Sequence, residues 1–123
     1  MTNTIAINVD IPQEFLADVV ITAVEGGINY WVDAIEDYVW QEDGQEISHP
    51  RASIKPMDEE RWRPIGTNTI KIGIHRILNS EVVNPQLRSQ IFRAVADANA
   101  GDIDAPVADA IVQVALFDDI VYA

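Results

Sequence analysis

The chain has 123 residues, of which 48% are hydrophobic, and it contains no cysteine. This length allows one hydrophobic core and is too short for two ordinary domains, so a single domain over residues 1–123 is expected. The absence of cysteine excludes disulfide scaffolds, thiolate metal sites and cysteine nucleophiles. No apolar stretch approaches the roughly eighteen residues that span a bilayer, and no signal peptide is recognisable, so a cytoplasmic protein is expected.

The formal net charge of −12 is concentrated at the two ends of the chain. Residues 1–50 contain ten acids and no Lys or Arg, and residues 94–123 contain six acids and no base. All eight basic residues therefore lie within residues 51–93, beside four acids. The acidic flanks either fold against this basic segment or leave an acidic face beside a basic cleft. Net repulsion disfavours direct binding to a nucleic-acid duplex.

A strand followed by a helix is predicted at the start of the chain. Residues 3–9 alternate apolar and polar side chains, which is the period of a half-buried strand. Asp10 is a plausible N-cap for the helix that follows. Gly26 and Gly27 supply the positive-φ position that commonly ends a helix, so this double glycine predicts a C-cap and a turn.

The next segment fits both helical and strand periods. We favour a helical turn over residues 30–34 and a strand over residues 35–40, followed by a turn at residues 41–45. A second strand is predicted over residues 47–57, broken at Pro50. Its prolines favour an edge strand or an irregular one.

Residues 57–68 are dense in charge and predict a loop, and three helices follow. The second helix of the chain starts near residue 68, with Thr67 or Asn68 as its cap. The third starts at Asn84, buries Phe92 among other apolar residues, and stops at Gly101. The fourth starts at Asp104, and because it is apolar on nearly every side it should be the most buried helix. These elements predict an α+β domain in which an antiparallel sheet of about three strands packs against about four helices.

The first candidate site combines Glu25, Tyr30 and Trp31. A carboxylate and a stacking platform beside a flexible glycine turn are typical of nucleobase sites. The alternative is an aromatic pair that packs the sheet against the first helix. We favour packing, because aromatic side chains dominate small cores.

The second candidate site is the segment RPIGTNTIKIGIHR, residues 63–76. A Gly-Thr-Asn-Thr turn that opens a helix presents free backbone amides at the positive end of the helix dipole, where phosphate binds well. Lys71 and His75 are four residues apart and share a helix face. The alternative is an ordinary capped helix with a solvated polar face, and the spacing excludes a P-loop. The candidate ligand-binding residues are Arg63, Gly66, Thr67, Asn68, Thr69, Lys71, His75, Tyr30 and Trp31.

Other constellations are weaker. Arg88 and Arg93 are five residues apart on the third helix, so at most one of them is expected to line a pocket shared with the second candidate site. Residues 97–109 resemble a calcium loop, but their glycine is at the fifth position and no Glu closes the twelfth, so no metal site is expected. The two histidines belong to no H-E-x-x-H motif, and no G-x-S-x-G motif is present. We therefore expect neither an enzyme nor a cofactor.

Two segments carry a resemblance to known proteins. ITAVEGGINYW, residues 21–31, and ADAIVQVALFDDIVYA, residues 108–123, resemble segments of small acidic hypothetical proteins of phages, prophages and high-GC bacteria. That group has no assigned activity, so no residue inherits a role from it. The resemblance implies a small accessory protein of a mobile element, acting in the host cytoplasm if phage-encoded. Such proteins often modulate host systems, as DNA-mimicking inhibitors or as sponges for nucleotide immune signals.

Two functional hypotheses fit these patterns. We favour a non-enzymatic, oligomeric protein that sequesters a small phosphorylated nucleotide-like ligand as a counter-defence sponge. Its phosphate would meet the helix start near Gly66, with Arg63 and Lys71 as charge partners, and the candidate stacking residues are Tyr30, Trp31, Trp62 and Phe92. The alternative is an acidic DNA-mimic-type inhibitor of a host nucleic-acid enzyme or defence complex, because the base-free first fifty residues provide an acidic face.

Overall fold

A computed structural model describes residues 2–3, 5 and 8–123 of the chain. One antiparallel sheet, in the order β1-β2-β3, packs against four α-helices, so the predicted α+β class is confirmed. The elements in chain order are α1 (Gln13–Thr22), a π-helical turn (Ala23–Gly27), β1 (Val32–Glu42), β2 (Gln45–Pro56), β3 (Arg63–Gly66), α2 (Thr67–Leu78), α3 (Pro85–Ala96), a 3₁₀ turn (Ala100–Asp102) and α4 (Ala105–Phe117).

The number of strands agrees with the prediction, and two of the predicted strands correspond to β1 and β2, but the third does not. Of the predicted strand at residues 3–9, positions 4, 6 and 7 lie outside the described residues. Ile5 and Val9 belong to no regular element, and Ile5 is 82% exposed. The third strand is instead β3, inside the segment predicted as a loop, where Ile65 pairs with Ala52 of β2. Alternation describes a side-chain pattern and does not identify a hydrogen-bonding partner.

The β1–β2 hairpin is longer than predicted. β1 begins at Val32, so the helical turn predicted over residues 30–34 is wrong from that residue onward. Asp43 and Gly44 have φ values of 51° and 79°, as a two-residue type I′ turn requires, and they connect the strands where the turn was predicted. Asp37, at φ 55°, lies in a bulge that shifts the β1–β2 register.

Strand β2 runs through Pro50 without ending. Residues 51–54 pair with β1 on one side and β3 on the other, so the edge prediction is wrong for this half of the strand. The irregularity is confirmed by the pairing: Val39 of β1 lies opposite Arg51 of β2, whereas Gln41, two residues later, lies opposite Glu46. Residues 45–50 of β2, on the side of the turn, pair with β1 alone, so this end of the hairpin is a two-stranded ribbon that β3 does not cover.

Helix α1 starts and ends differently from the prediction. Pro12 is at the N-cap position without a side-chain cap, so the assignment of Asp10 is wrong. At the other end the helix continues into a π-helical turn, and neither Gly26 nor Gly27 has a positive φ. Gly27 is required for a different reason: a Cβ there would lie 2.8 Å from the Ala105 carbonyl oxygen and 3.3 Å from the Asp109 nitrogen. It permits close contact with α4.

The other helices start close to their predicted caps. The side chains of Asn84 and Asp104 accept hydrogen bonds from the backbone N–H groups of α3 and α4, at 2.8 and 3.1 Å. Helix α2 begins at Thr67 with Gly66 at its N-cap position, so the predicted cap at Thr67 or Asn68 is wrong. Helix α3 ends at Ala96 rather than at Gly101. Phe92 is 52% exposed, so its predicted burial is wrong.

The core lies where the helices meet the inner face of the sheet. Every residue of α4 from 107 to 114 is buried, which confirms it as the most buried helix. Helix α2 packs across it, and the fully buried Ile74 and Ile77 belong to the same core cluster as Ile111. Within the described residues, no helix combines the length and hydropathy needed to cross a bilayer.

Candidate functional site

At the predicted phosphate site, Arg63 already has a partner. Its Nε and Nη2 donate to the two carboxylate oxygens of Glu59 at 2.6 and 2.8 Å, and the guanidinium lies 5.1 Å from the ring centroid of Phe117. Only 18% of the Arg63 side chain is exposed. The hydrogen bond from Arg63 holds the pKa of the Glu59 carboxyl below its usual range. Arg63 is therefore part of a structural ion pair.

The other predicted residues at this site do not gather around a cavity. Lys71 and His75 are exposed on α2, and Asn68 is exposed in its first turn. The Thr69 hydroxyl accepts a hydrogen bond from the Gly66 N–H at 3.0 Å, so it caps the helix. Gly66 and Thr67 are half-buried, and none of these residues lines the clefts described below.

The aromatic pair is divided between core and surface. Trp31 is 0% exposed, with the Tyr122 ring stacked on it at 5.0 Å and the Phe117 ring packed edge-on at 5.7 Å. It therefore offers no face to a ligand and is a packing residue, but its aromatic and hydrogen-bond partners belong to α4 and the residues after it rather than to the first helix. Tyr30 is 52% exposed. Glu25 accepts a hydrogen bond from Tyr38 instead, so the three predicted residues form no cluster.

The two segments that carry the resemblance meet in a buried polar network around Asp109 and Gln113 of α4. Asp109 Oδ1 accepts hydrogen bonds from the indole N–H of Trp31 at 2.7 Å and from the Gln113 amide at 2.9 Å. Its Oδ2 accepts from the Tyr30 hydroxyl at 2.6 Å. Gln113 Oε1 accepts from the backbone N–H groups of Val121 and Tyr122, each at 2.8 Å. The network thus fixes the residues after α4 against the helix.

The sequence contained a signal for this network. Asp109 and Gln113 are four residues apart in the most apolar helix of the chain, so they share one face of it. Since that helix is expected to be buried on all sides, its polar side chains must find internal partners. The resemblance of residues 97–109 to a calcium loop, which ends at Asp109, does not indicate this role.

The pKa of Tyr30 gives a testable consequence of the network. Burial of the phenol, together with its hydrogen bond to Asp109 and that carboxylate's charge, raises the pKa of Tyr30 to about 12. Folding favours the neutral phenol, so this stabilisation is complete below the unfolded pKa of about 10 and is lost as pH rises towards about 12. We expect tyrosinate absorbance to show Tyr30 ionising near the higher value. A component near pH 10 that disappears in Tyr30→Phe would contradict this.

A cleft of about 480 Å³ lies against α3, and we call it the arginine cleft. Arg88 is half-buried, with Nη1 donating to the Ser80 carbonyl oxygen at 2.8 Å, whereas Arg93 is exposed. Within residues 8–123, neither arginine forms an ion pair with a carboxylate. Both arginines line this cleft, because their long side chains reach around the helix. No residue of the second candidate site lines it, so the expectation for a pocket shared with that site stays a prediction. The cleft is lined by Leu78, Arg88, Ser89, Phe92, Arg93 and Ala96.

The β1–β2 hairpin carries an exposed group of acids that we call the acidic arm. It consists of Asp33, Glu36, Asp37, Glu42, Asp43 and Glu46. In the described part of the chain, the four ion pairs are Lys55–Glu60, Arg61–Glu59, Arg63–Glu59 and Arg76–Asp118. None of them uses an acid from residues 1–50. The basic segment therefore pairs mainly with its own acids and leaves the acidic arm unneutralised.

Comparisons with protein-family models, with curated proteins and with solved structures found no match to this chain. In residues 2–3, 5 and 8–123, no group of three or more His, Asp or Glu side chains is placed to hold a metal ion. The candidate sites are therefore compared by their geometry and charge.

Proposed function

We propose that the protein is a non-enzymatic binder of a small phosphorylated nucleotide-like ligand, and that the arginine cleft is its site. The supporting observation is that two arginines flank a half-exposed phenylalanine and that neither, within residues 8–123, forms an ion pair with a carboxylate. This proposal keeps the ligand class expected from the sequence and moves the site from the start of α2 to the face of α3.

Each part of the arginine cleft suits one part of such a ligand. A guanidinium donates two parallel hydrogen bonds to a phosphate, and no carboxylate in the described part of the chain forms an ion pair with Arg88 or Arg93. The Phe92 ring, 52% exposed, provides a stacking surface for a base. The volume of about 480 Å³ falls within the range of small-molecule sites.

The proposed biological role is supported by the chemistry of the residues that line the arginine cleft. Its lining includes no carboxylate or histidine that would act as a general acid or base on the ligand. Sequestration without turnover is the activity that fits, as in a counter-defence sponge of a mobile element. We further propose that the protein forms a homo-oligomer. Sedimentation equilibrium would measure the mass of that oligomer.

The test is calorimetric titration with cyclic nucleotides, ADP-ribose derivatives and inorganic phosphate. The double variant Arg88→Ala/Arg93→Ala should bind the nucleotide at least about tenfold more weakly, since each charge-assisted hydrogen bond contributes about 1.5–3 kcal/mol. Arg61→Ala is the control. Arg61 is exposed and lies outside the cleft, and its substitution removes a guanidinium charge from another part of the surface.

Phe92→Ala should weaken nucleotide binding and leave phosphate binding unchanged, because only the base stacks on the ring. Equal affinity in the wild type, the double variant and Arg61→Ala would place binding outside the arginine cleft. Absence of binding by every nucleotide would overturn the proposal.

The acidic arm supports a second candidate function, a DNA-mimic-type inhibitor that docks on the basic surface of a host nucleic-acid enzyme or defence complex. The favouring observation is that ten acids of residues 1–50 take part in none of the ion pairs of the described residues. Such a surface steers association with a basic partner, and added salt weakens that steering.

The role of the acidic arm in this inhibition can be tested by making the same number of charge reversals in the arm and, separately, on a different surface. Lysine substitutions at Glu36, Asp37, Glu42 and Asp43 should abolish competition with duplex DNA for a host DNA-binding enzyme. Lysine substitutions at four acids outside the hairpin, Asp97, Asp102, Glu81 and Asp119, change the net charge equally and should retain most of the competition. Equal losses in the two sets would show that net charge, rather than the arm, is responsible.

A further inference from the structure

A second cleft, of about 400 Å³, lies where α4 meets the start of α3 and the residues after α4. We call it the tail cleft. Its walls are largely apolar and include Val82, Leu87, Pro106 and Ala110, while Tyr30 and Asp109 provide polar groups. It shares no lining residue with the arginine cleft. The two clefts therefore present opposite chemistry to a ligand.

The carboxylate in the tail cleft has only uncharged partners. Asp109 is 7% exposed, and its three side-chain donors are the Trp31 indole, the Gln113 amide and the Tyr30 hydroxyl. In residues 8–123, no Lys, Arg or His forms an ion pair with it. A buried carboxylate is stabilised most by a cation, because neutral donors compensate only part of its lost hydration.

The hydrogen-bonding capacity of Asp109, a residue that lines the cleft, is not filled by its three donors. A carboxylate accepts about four hydrogen bonds. Oδ1 already accepts two, from Trp31 and Gln113, whereas Oδ2 accepts one, from Tyr30. Oδ2 is thus the oxygen with remaining capacity, and its partner Tyr30 is half-exposed at the cleft.

We propose that the tail cleft binds a small organic cation with a primary ammonium group and an apolar body. The ammonium group donates to Asp109 Oδ2 and lies near the Tyr30 ring, where the cation–π interaction adds to the ion pair. The apolar body packs against Leu87, Pro106 and Ala110. This site goes beyond the proposed function, since a phosphorylated ligand would be repelled by Asp109.

The experiment uses n-alkylammonium chlorides, from methyl to hexyl, titrated into the full-length protein at constant ionic strength. The matched alcohols and sodium chloride are controls for the apolar body and for the charge alone. We expect saturable binding of the ammonium ions, strengthening roughly three- to fourfold for each methylene until the cleft is filled. The alcohols and sodium should bind at least tenfold more weakly.

Two variants separate binding from folding. Asp109→Asn removes the charge at similar shape and should reduce hexylammonium affinity at least tenfold in protein that remains folded by circular dichroism. Because Asp109 also supports the core, Ala110→Leu provides a second test, since it fills the cleft and leaves the hydrogen bonds of Asp109 in place. It should weaken binding by a similar factor. Arg88→Ala/Arg93→Ala should leave hexylammonium binding unchanged, so failure here is distinguishable from failure at the arginine cleft.

Three results would overturn the ammonium site. If hexanol bound with the same affinity as hexylammonium, the site would be an apolar groove without selectivity for charge. If sodium competed with hexylammonium at equal concentration, the effect would be one of cations in general. Wild-type affinity in Ala110→Leu, or in folded Asp109→Asn, would place the cation elsewhere.

Discussion

Replacing Gly73 with alanine is expected to lower the free energy of unfolding by about 2 kcal/mol, in the upper part of the range for overpacked cores. Gly73 lies in the middle of α2, where that helix crosses α4. An added Cβ would collide with the backbone carbonyl oxygen of Ile111 and would lie 2.8 Å from its Cγ2. Alanine favours a helix by about 1 kcal/mol over glycine, but α2 would have to move away from α4 to accept it.

Gly26→Ala is the matched control for this substitution. Gly26 is exposed, and a Cβ there would meet only the Cβ of Ala105, at an ordinary contact distance of 3.7 Å. Thermal unfolding should show a melting temperature lower by roughly 6–12 °C for Gly73→Ala and almost unchanged for Gly26→Ala. Similar melting temperatures for the two variants would contradict the close packing of α2 on α4.

Asp109→Ala is expected to destabilise the protein by about 3 kcal/mol, since it leaves the buried indole N–H of Trp31 without an acceptor, at about 1–3 kcal/mol, and removes a short hydrogen bond each from Gln113 and Tyr30. Gln113 and Tyr30 keep the Tyr122 carbonyl oxygen as a longer acceptor, at 3.2 Å in each case. The Trp31 indole N–H is fully buried and donates to Asp109, and the Gln113 amide donates to the same oxygen. Replacing the carboxylate by a methyl group therefore weakens the contact of Trp31 with α4. It also weakens the hold of Gln113 on Tyr122.

Denaturant unfolding followed by tryptophan fluorescence measures this effect. Asp97→Ala is the control, because Asp97 is an exposed acid after α3 and its loss should change stability by less than about 0.5 kcal/mol. Tyr30→Phe removes one donor from Asp109 and should give an intermediate loss. If Asp109→Ala were as stable as Asp97→Ala, the network would not hold the core together.

Local features of the fold were predictable from sequence, because their causes lie within a few residues. Asn84 and Asp104 cap their helices by accepting hydrogen bonds from backbone groups three residues ahead. The Asp43-Gly44 pair fixes a tight turn through its positive φ values. Neither effect depends on the rest of the chain.

Features that depend on distant partners were missed. Gly27 resembles a helix C-cap locally, yet its role comes from a contact with Ala105 on α4. The third strand pairs with β2 although its sequence is short and contains Pro64. Pairing of this kind depends on the tertiary arrangement, which side-chain periodicity over a few residues does not contain.

The candidate site was predicted in composition and missed in position. The concentration of basic residues within residues 51–93 and the stacking candidate Phe92 were both visible in the sequence. The choice of Arg63 overlooked Glu59, four residues earlier, whose ion pair with it forms across a loop rather than along a helix. Arg88 and Arg93 diverge around α3, yet their long side chains line one cleft from different angles.

The most direct test of the proposed function is native mass spectrometry of the purified protein, before and after addition of cyclic nucleotides and ADP-ribose derivatives. The account predicts a mass increase of one nucleotide per chain in the wild type and in Arg61→Ala, and none in Arg88→Ala/Arg93→Ala. A protein mass unchanged by every nucleotide would contradict the proposed function and leave the acidic arm as the surface to pursue.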